Sequence, residues 1–208
     1  MNIIDLFFHL DEYLNLAIQI CGIWSYALLF LIIFAETGLV VMPFLPGDSL
    51  LFVVGTYSAL GSFNLIGVIL ILFLAAVAGD ALNYAFGKKI GEKVFKENSR
   101  FFKKEYLVKT HAFYEKYGGK TIVLARFVPI VRTFAPFVAG AGKMSYGYFF
   151  SYNVIGAFLW IVVFVVGGFF FGNLPWVKEN FSLVIFSIIF VSILLPAFGS
   201  LRYGKDKR

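Results

Sequence analysis

The sequence predicts an all-α polytopic membrane protein. Its expected plan is two opposed, proline-broken re-entrant hairpins plus about three full transmembrane helices, in an inverted-repeat-like order. Three observations predict this. The 208 residues are 60% hydrophobic and only 14% charged, whereas an ordinary soluble domain is about 25% charged. At a mean hydropathy of +0.85, a water-soluble fold would leave large apolar patches exposed. Several apolar runs reach the roughly 20 residues that cross a bilayer core, and two of them carry charges beside prolines. Such broken backbone survives at membrane depth only where protein or a wet cavity satisfies it. The chain reads as a single membrane domain over residues 1–208.

Residues 1–20 open with an amphipathic pattern. Ile3, Leu6, Phe7, Leu10, Leu14, Ala17 and Ile18 fall on one helical face, and Asp5, His9, Glu12 and Gln19 on the other. This predicts an interfacial helix rather than a span, with His9 solvated on the polar face. The N-terminus lacks a basic n-region, so no cleaved signal peptide is expected.

Residues 22–61 are apolar but interrupted. Glu36 lies in the run, and Pro43, Pro46, Gly47 and Asp48 follow. Proline removes a backbone donor and disfavours helix at the preceding residue. The economical reading is a helix over 23–41, a break at 42–47 and a returning helix over 48–60, which make a first re-entrant hairpin. Residues 64–87 form a cleaner span in which Asp80 and Tyr84, four apart, share a face.

Residues 88–120 follow as a basic, aromatic-rich interfacial region; Glu92/Lys96 and Glu105/Lys109 have the i,i+4 order that supports helix. His111 reads as a surface residue. Residues 121–142 repeat the earlier anomaly. Arg126 and Arg132 flank Pro129, with Pro136 and Gly140 after them, which predicts a second hairpin. Residues 145–173 read as a span, Pro175–Asn180 as a short outer loop, 181–200 as a last span and 201–208 as a basic tail.

Charge sets the expected orientation. The stretch 87–120 holds ten Lys or Arg against four Glu, and the tail holds Arg202, Lys205, Lys207 and Arg208 against Asp206. By the positive-inside rule both face the cytoplasm. The net charge of +6 is thus a topology signal that touches anionic headgroups, and no nucleic-acid partner is expected. The lone Cys21 forbids an internal disulfide. No metal-ligand spacing appears, so neither metal nor cofactor is expected. With the basic loop inside, the first hairpin enters from outside and the second from inside. That is the arrangement of an inverted-topology repeat with a site near the midplane.

Five ionisable residues remain inside apolar segments: Glu36, Asp48, Asp80, Arg126 and Arg132. Each costs about 2.5–3.5 kcal/mol at a helix centre on insertion scales. Lys143, at the end of its segment, reads as snorkelling to the interface. Three acids and two arginines imply mutual pairing. One reading is a buried charge network that fixes the hairpins against each other. The other is a substrate and proton site. Arginine keeps its proton and its fork suits phosphate, while carboxylates in low dielectric can load and unload protons. These parts suit a carrier that moves an anionic headgroup with protons.

The same residues carry a family resemblance. Glu36, Pro43, Pro46, Gly47 and Asp48 resemble the first motif of the DedA family, the bacterial branch of the VTT (SNARE-associated) membrane proteins. Gly79, Asp80, Tyr84, Gly87 and Gly91 resemble its second. Leu124, Ala125, Arg126, Phe127, Val128, Pro129, Ile130, Val131 and Arg132 resemble its arginine motif, and Gly140, Gly142, Met144, Phe149 and Asn153 the one after it. The match runs in order over about 36–153. Asp48 stands where many members have Glu, which preserves the charge.

The resemblance implies two opposed re-entrant loops, a multi-pass place in the bacterial cytoplasmic membrane and a role in envelope homeostasis. It implies proton-motive-force-dependent transport, with undecaprenyl phosphate, the cell-wall carrier lipid, as a candidate lipid phosphate. By matching position, Glu36 and Asp48 are the acidic pair and Arg126 and Arg132 the essential arginines. Phospholipid scrambling and a non-transporting stress or scaffold role stand as alternatives. A lipid-phosphate phosphatase fits poorly, since neither His9 nor His111 lies in an arginine-bearing motif and no hydrolase signature appears; the chain is not expected to be an enzyme. Membrane lipids and protons are the expected partners, and self-association stays open.

Overall fold

The computed structural model describes residues 22–39, 47–94 and 118–180, together with 183, 184 and 187. All regular structure among these residues is helical: α1 Trp24–Gly38, α2 Gly47–Ala59, α3 Leu65–Val94, α4 Lys120–Ala125, α5 Pro129–Ala141, α6 Tyr146–Phe171 and α7 Pro175–Glu179. The expected N-terminal helix over 1–20, the break carrying Pro43 and Pro46, the stretch 95–117 and the tail lie outside the described residues. So does the last span over 181–200, apart from those three positions.

Local chemistry explains several boundaries. Asn64 caps α3, its Oδ1 accepting the Gly67 N–H at 2.8 Å, as an N-cap side chain should. The helix then runs on to Val94, seven residues past the expected end at 87. Lys88 and Lys89 do not stop it, because a lysine stem can lie along a helix while its ammonium reaches water. Downstream, the chain leaves helix at Arg126–Val128 and restarts at Pro129. Val128 is extended, with φ −122° and ψ 103°, as a residue before proline prefers. Pro129 occupies the first turn, where its missing N–H costs nothing, and Pro136 lies within α5. The expected outer loop after α6 contains a short helix, α7, which also opens on a proline.

The described chain divides into two compact units interleaved in sequence. One comprises 22–31, 47–72 and 161–180, the other 32–39, 73–94 and 118–160. In the first, α2 packs on the C-terminal part of α6 through glycines. A Cβ on Gly55 would run into the Val165 carbonyl, and one on Gly168 into the Phe52 carbonyl. At this closeness the Thr56 hydroxyl reaches the Gly168 carbonyl at 3.3 Å, and the Asn173 amide donates to the Thr56 carbonyl at 3.2 Å. Small residues that let backbones approach are a usual means of packing helices in lipid.

In the second unit, α5 lies equally close to α3, with Gly140 against the Tyr84 carbonyl and Gly87 against that of Phe137. Its apolar core is Tyr84, Ile122, Ala125, Ala135, Ala139 and Phe149. The Tyr84 ring stacks on Phe149 at 4.4 Å between centroids, and its hydroxyl donates to the Met144 carbonyl.

The core is apolar, yet large apolar side chains also cover the outside while ionisable ones are buried. Ile66, Leu70 and Leu74 form an exposed stripe on α3, and Ile155, Phe158, Leu159, Val163 and Phe170 are exposed on α6. Glu36, Asp48, Asp80, Asn83, Arg126, Arg132 and Asn153 are buried. Leu65–Ile90 and Tyr146–Phe171 are each 26 residues long and apolar enough to cross a membrane. At 1.5 Å per residue each extends about 39 Å, more than the roughly 30 Å hydrocarbon core.

Candidate functional site

Four of the five intramembrane charges meet in the second unit, as two buried ion pairs. Arg126, in the turn between α4 and α5, donates through Nη2 to Asp80 Oδ2 on α3 at 2.5 Å. The same nitrogen donates to the Asn153 side-chain carbonyl on α6. Arg126 and Asp80 are each 1% exposed. The Asn153 amide in turn donates to the Val77 carbonyl at 3.1 Å, one helical turn before Asp80, which fixes which way its oxygen faces. Arg126 packs closely on Gly156 of α6, for a Cβ there would come within 3.1 Å of Arg126 Cδ and 3.2 Å of its Nε and the side chain would have to give way. Among the described residues, Nε and Nη1 of Arg126 and Oδ1 of Asp80 meet no hydrogen-bond partner.

The second pair joins Arg132 on α5 to Glu36 on α1, Nη2 donating to Oε1. They are 4% and 2% exposed. The Arg132 guanidinium also lies over the Trp160 ring, 4.7 Å from its centroid, within the range of a cation–π contact. Trp160 is wholly buried, so its mid-span position reflects this partner rather than an interfacial role.

Three residues after Asp80 on α3 sits Asn83. Its amide donates to two main-chain carbonyls, Thr37 at 3.1 Å and Thr133 at 2.8 Å. The fifth charge, Asp48, lies in the first turn of α2, buried, in the other unit. A carboxylate in that position is favoured by the helix dipole. Gly47 opens the same helix and is also buried.

The structure therefore brings Glu36, Asp80, Arg126 and Arg132 together in one unit, with Asp48 in the other. Pro129 starts α5 and Pro136 lies inside it; Pro43 and Pro46 are outside the described residues. A search for charge in apolar runs passes over Asn83, Trp160 and Gly156. The signal for Asn83 is its spacing: it follows Asp80 by three positions, so an amide and a carboxylate share a helix face in an apolar run. Among the described residues no group of three or more His, Cys, Asp or Glu could hold a metal. The arrangement can hold positive charge inside an apolar protein with its counter-charges attached. Breaking either pair would strand an ion, at several kcal/mol.

Helical structure throughout the described residues, an apolar exterior, membrane-length helices and buried ion pairs together define an integral membrane protein. The VTT domain model matches residues 45–170. The chain is 56% identical to Protein DedA of Escherichia coli K12 over 206 residues, 98% of this chain and 94% of that one. It is 45% identical to an uncharacterized membrane protein of Mycobacterium leprae over 83% of this chain and 78% of the other. It is 30% identical to the inner membrane protein YqjA of Escherichia coli K12 over 84% and 80%. The chain belongs to the DedA family of membrane proteins. No solved structure matches it.

Proposed function

We propose that this protein is a proton-coupled translocase of an anionic lipid phosphate such as undecaprenyl phosphate, working as a multi-pass protein of the bacterial cytoplasmic membrane. The observation that carries the reading is Arg126. It is a buried guanidinium whose Nε and Nη1 have no hydrogen-bond partner among the described residues, and each is a donor from which a phosphate oxygen can accept. Arg132 supplies the second positive charge. Glu36 or Asp48 carries the proton, and the basic region 88–120 and the tail face the cytoplasm.

Reconstitution into liposomes with labelled undecaprenyl phosphate tests this. Inward movement should accelerate under an imposed pH gradient and fall to the protein-free rate with Arg126→Gln. Equal movement with and without the gradient would mean scrambling, and no movement would remove the substrate. In cells, loss of the protein should change the surface exposure of undecaprenyl phosphate and the sensitivity to agents that bind it.

One observation favours a second reading, a charge network that only braces the fold: each arginine already has a carboxylate partner. Arg126→Gln and Arg132→Gln separate the two. A brace present at normal abundance still complements a null strain, whereas a translocase does not.

A further inference from the structure

We propose that Asn83 is the positioning residue of this site, its amide clamping the backbone on either side so that Glu36 and Arg132 meet in register. Asn83 is fully buried. Its two amide N–H groups go to carbonyls 46 and 50 residues away. One acceptor, Thr37, directly follows Glu36; the other, Thr133, directly follows Arg132. The amide therefore ties together the two backbone points from which the ion pair projects.

Both carbonyls sit where helix continuity is weakest. Thr37 lies in the last turn of α1, which ends at Gly38, so the helix's own ladder gives its carbonyl no donor four residues on. Thr133 lies beside Arg132, whose carbonyl would normally bond the N–H of the residue four ahead. That residue is Pro136, which has none. The side chain of α3 thus adds a cross-helix tie beside the end of α1 and beside the bond that Pro136 removes from α5. Among side chains of this size only an amide brings two N–H donors on one nitrogen without adding a charge. Leucine fills the space without donating, and aspartate would turn an acceptor toward two acceptors. The charged groups around the clamp are Glu36 on α1, Arg132 on α5, and the Asp80–Arg126 pair, whose acid lies one turn earlier on α3.

The clamp deepens the translocation reading of the same site, but its geometry can be tested apart from transport. A hydrophobic carbodiimide reacts with a protonated carboxyl and spares a carboxylate paired with a guanidinium, so adduct at Glu36 measured by mass spectrometry reports the state of the pair. The full-length protein in lipid nanodiscs is labelled as wild type, Asn83→Leu and Asn83→Ser, with Arg132→Gln marking the fully broken pair. Asn83→Leu should raise labelling of Glu36 by roughly five- to tenfold, the equivalent of about one buried hydrogen bond, with Asp80 labelling unchanged. Asn83→Ser keeps one donor, and its Glu36 labelling should lie between that of wild type and that of Arg132→Gln, a comparison that does not need the leucine variant to fold. Unchanged Glu36 labelling in both variants would overturn the proposal. Glu36 and Asp80 rising together would overturn it too, since that is general loosening. If the wild type moves no lipid phosphate yet Glu36 labelling rises alone, the clamp stands and the transport reading falls.

Discussion

Arg126 concentrates its contacts on one nitrogen: Nη2 faces both Asp80 and Asn153. With both charges removed from solvent, the pair holds only while complete, because one ion without its partner is a bare charge in an apolar surrounding. Arg126→Met should destabilise the protein by about 3–5 kcal/mol, and Asp80→Leu similarly, while the double variant recovers most of the loss. Thermal unfolding in detergent, compared across the three variants, checks this; a double variant as unstable as the singles would mean the pair does more than neutralise itself. If the protein is the translocase proposed above, transport should be lost in both variants that lack Arg126, since packing can replace an ion pair but cannot replace a phosphate ligand. At this scale the charged part of the site is legible in the sequence. A Glu, an Asp or an Arg in an apolar run is too costly to be incidental, and Glu36, Asp80, Arg126 and Arg132 are found that way. Asn83, Trp160 and Gly156 are not, for a physical reason. A neutral amide, an indole and a glycine cost little in such a run, and their roles depend on what another helix brings opposite them.

Two successive glycines on α6 separate crowding from propensity. Gly168 faces α2 so closely that a Cβ would meet the Phe52 carbonyl, whereas Gly167 has nothing within 4 Å. Gly168→Ala should cost about 1–3 kcal/mol by overpacking. Gly167→Ala should be neutral or stabilise by up to about 1 kcal/mol, the helix preference of alanine over glycine. A thermal-shift comparison of the two decides it, and equal effects would mean the contact yields. Which of the glycines between 167 and 172 makes the contact is not legible in the sequence, because that depends on the rotation of α6 against α2. Element ends show the same division. Proline chemistry makes the restart at Pro129 legible, since the ring fixes both its own position and that of Val128. The end of α3 at Val94 is not legible from the lysines that follow residue 87, because charge alone does not stop a helix; it ends where its backbone changes.

For the molecule as a whole, composition settles the solvent. The exposed stripe Ile66, Leu70 and Leu74 and the buried ions are two consequences of one fact, that the surroundings are apolar. What composition leaves undecided is which way the chain faces, and α3 offers the cleanest test. It is one continuous helix from Leu65 to Val94, with exposed Ser62 just before it and exposed Lys89 near its other end. The Ser62 end carries no basic residue, while Lys88, Lys89 and Lys93 cluster at the other, so the positive-inside rule places Lys89 in the cytoplasm. In a Cys21→Ser background, Ser62→Cys should react with a membrane-impermeant maleimide added from outside the cytoplasmic membrane. Lys89→Cys should react only after that membrane is opened. The opposite pattern would invert the assigned orientation, and with it the side from which the arginine-bearing segment 118–142 is reached. Labelling of both positions from one side would show that α3 does not cross at all, since a helix longer than the bilayer core cannot span it with both ends on the same face.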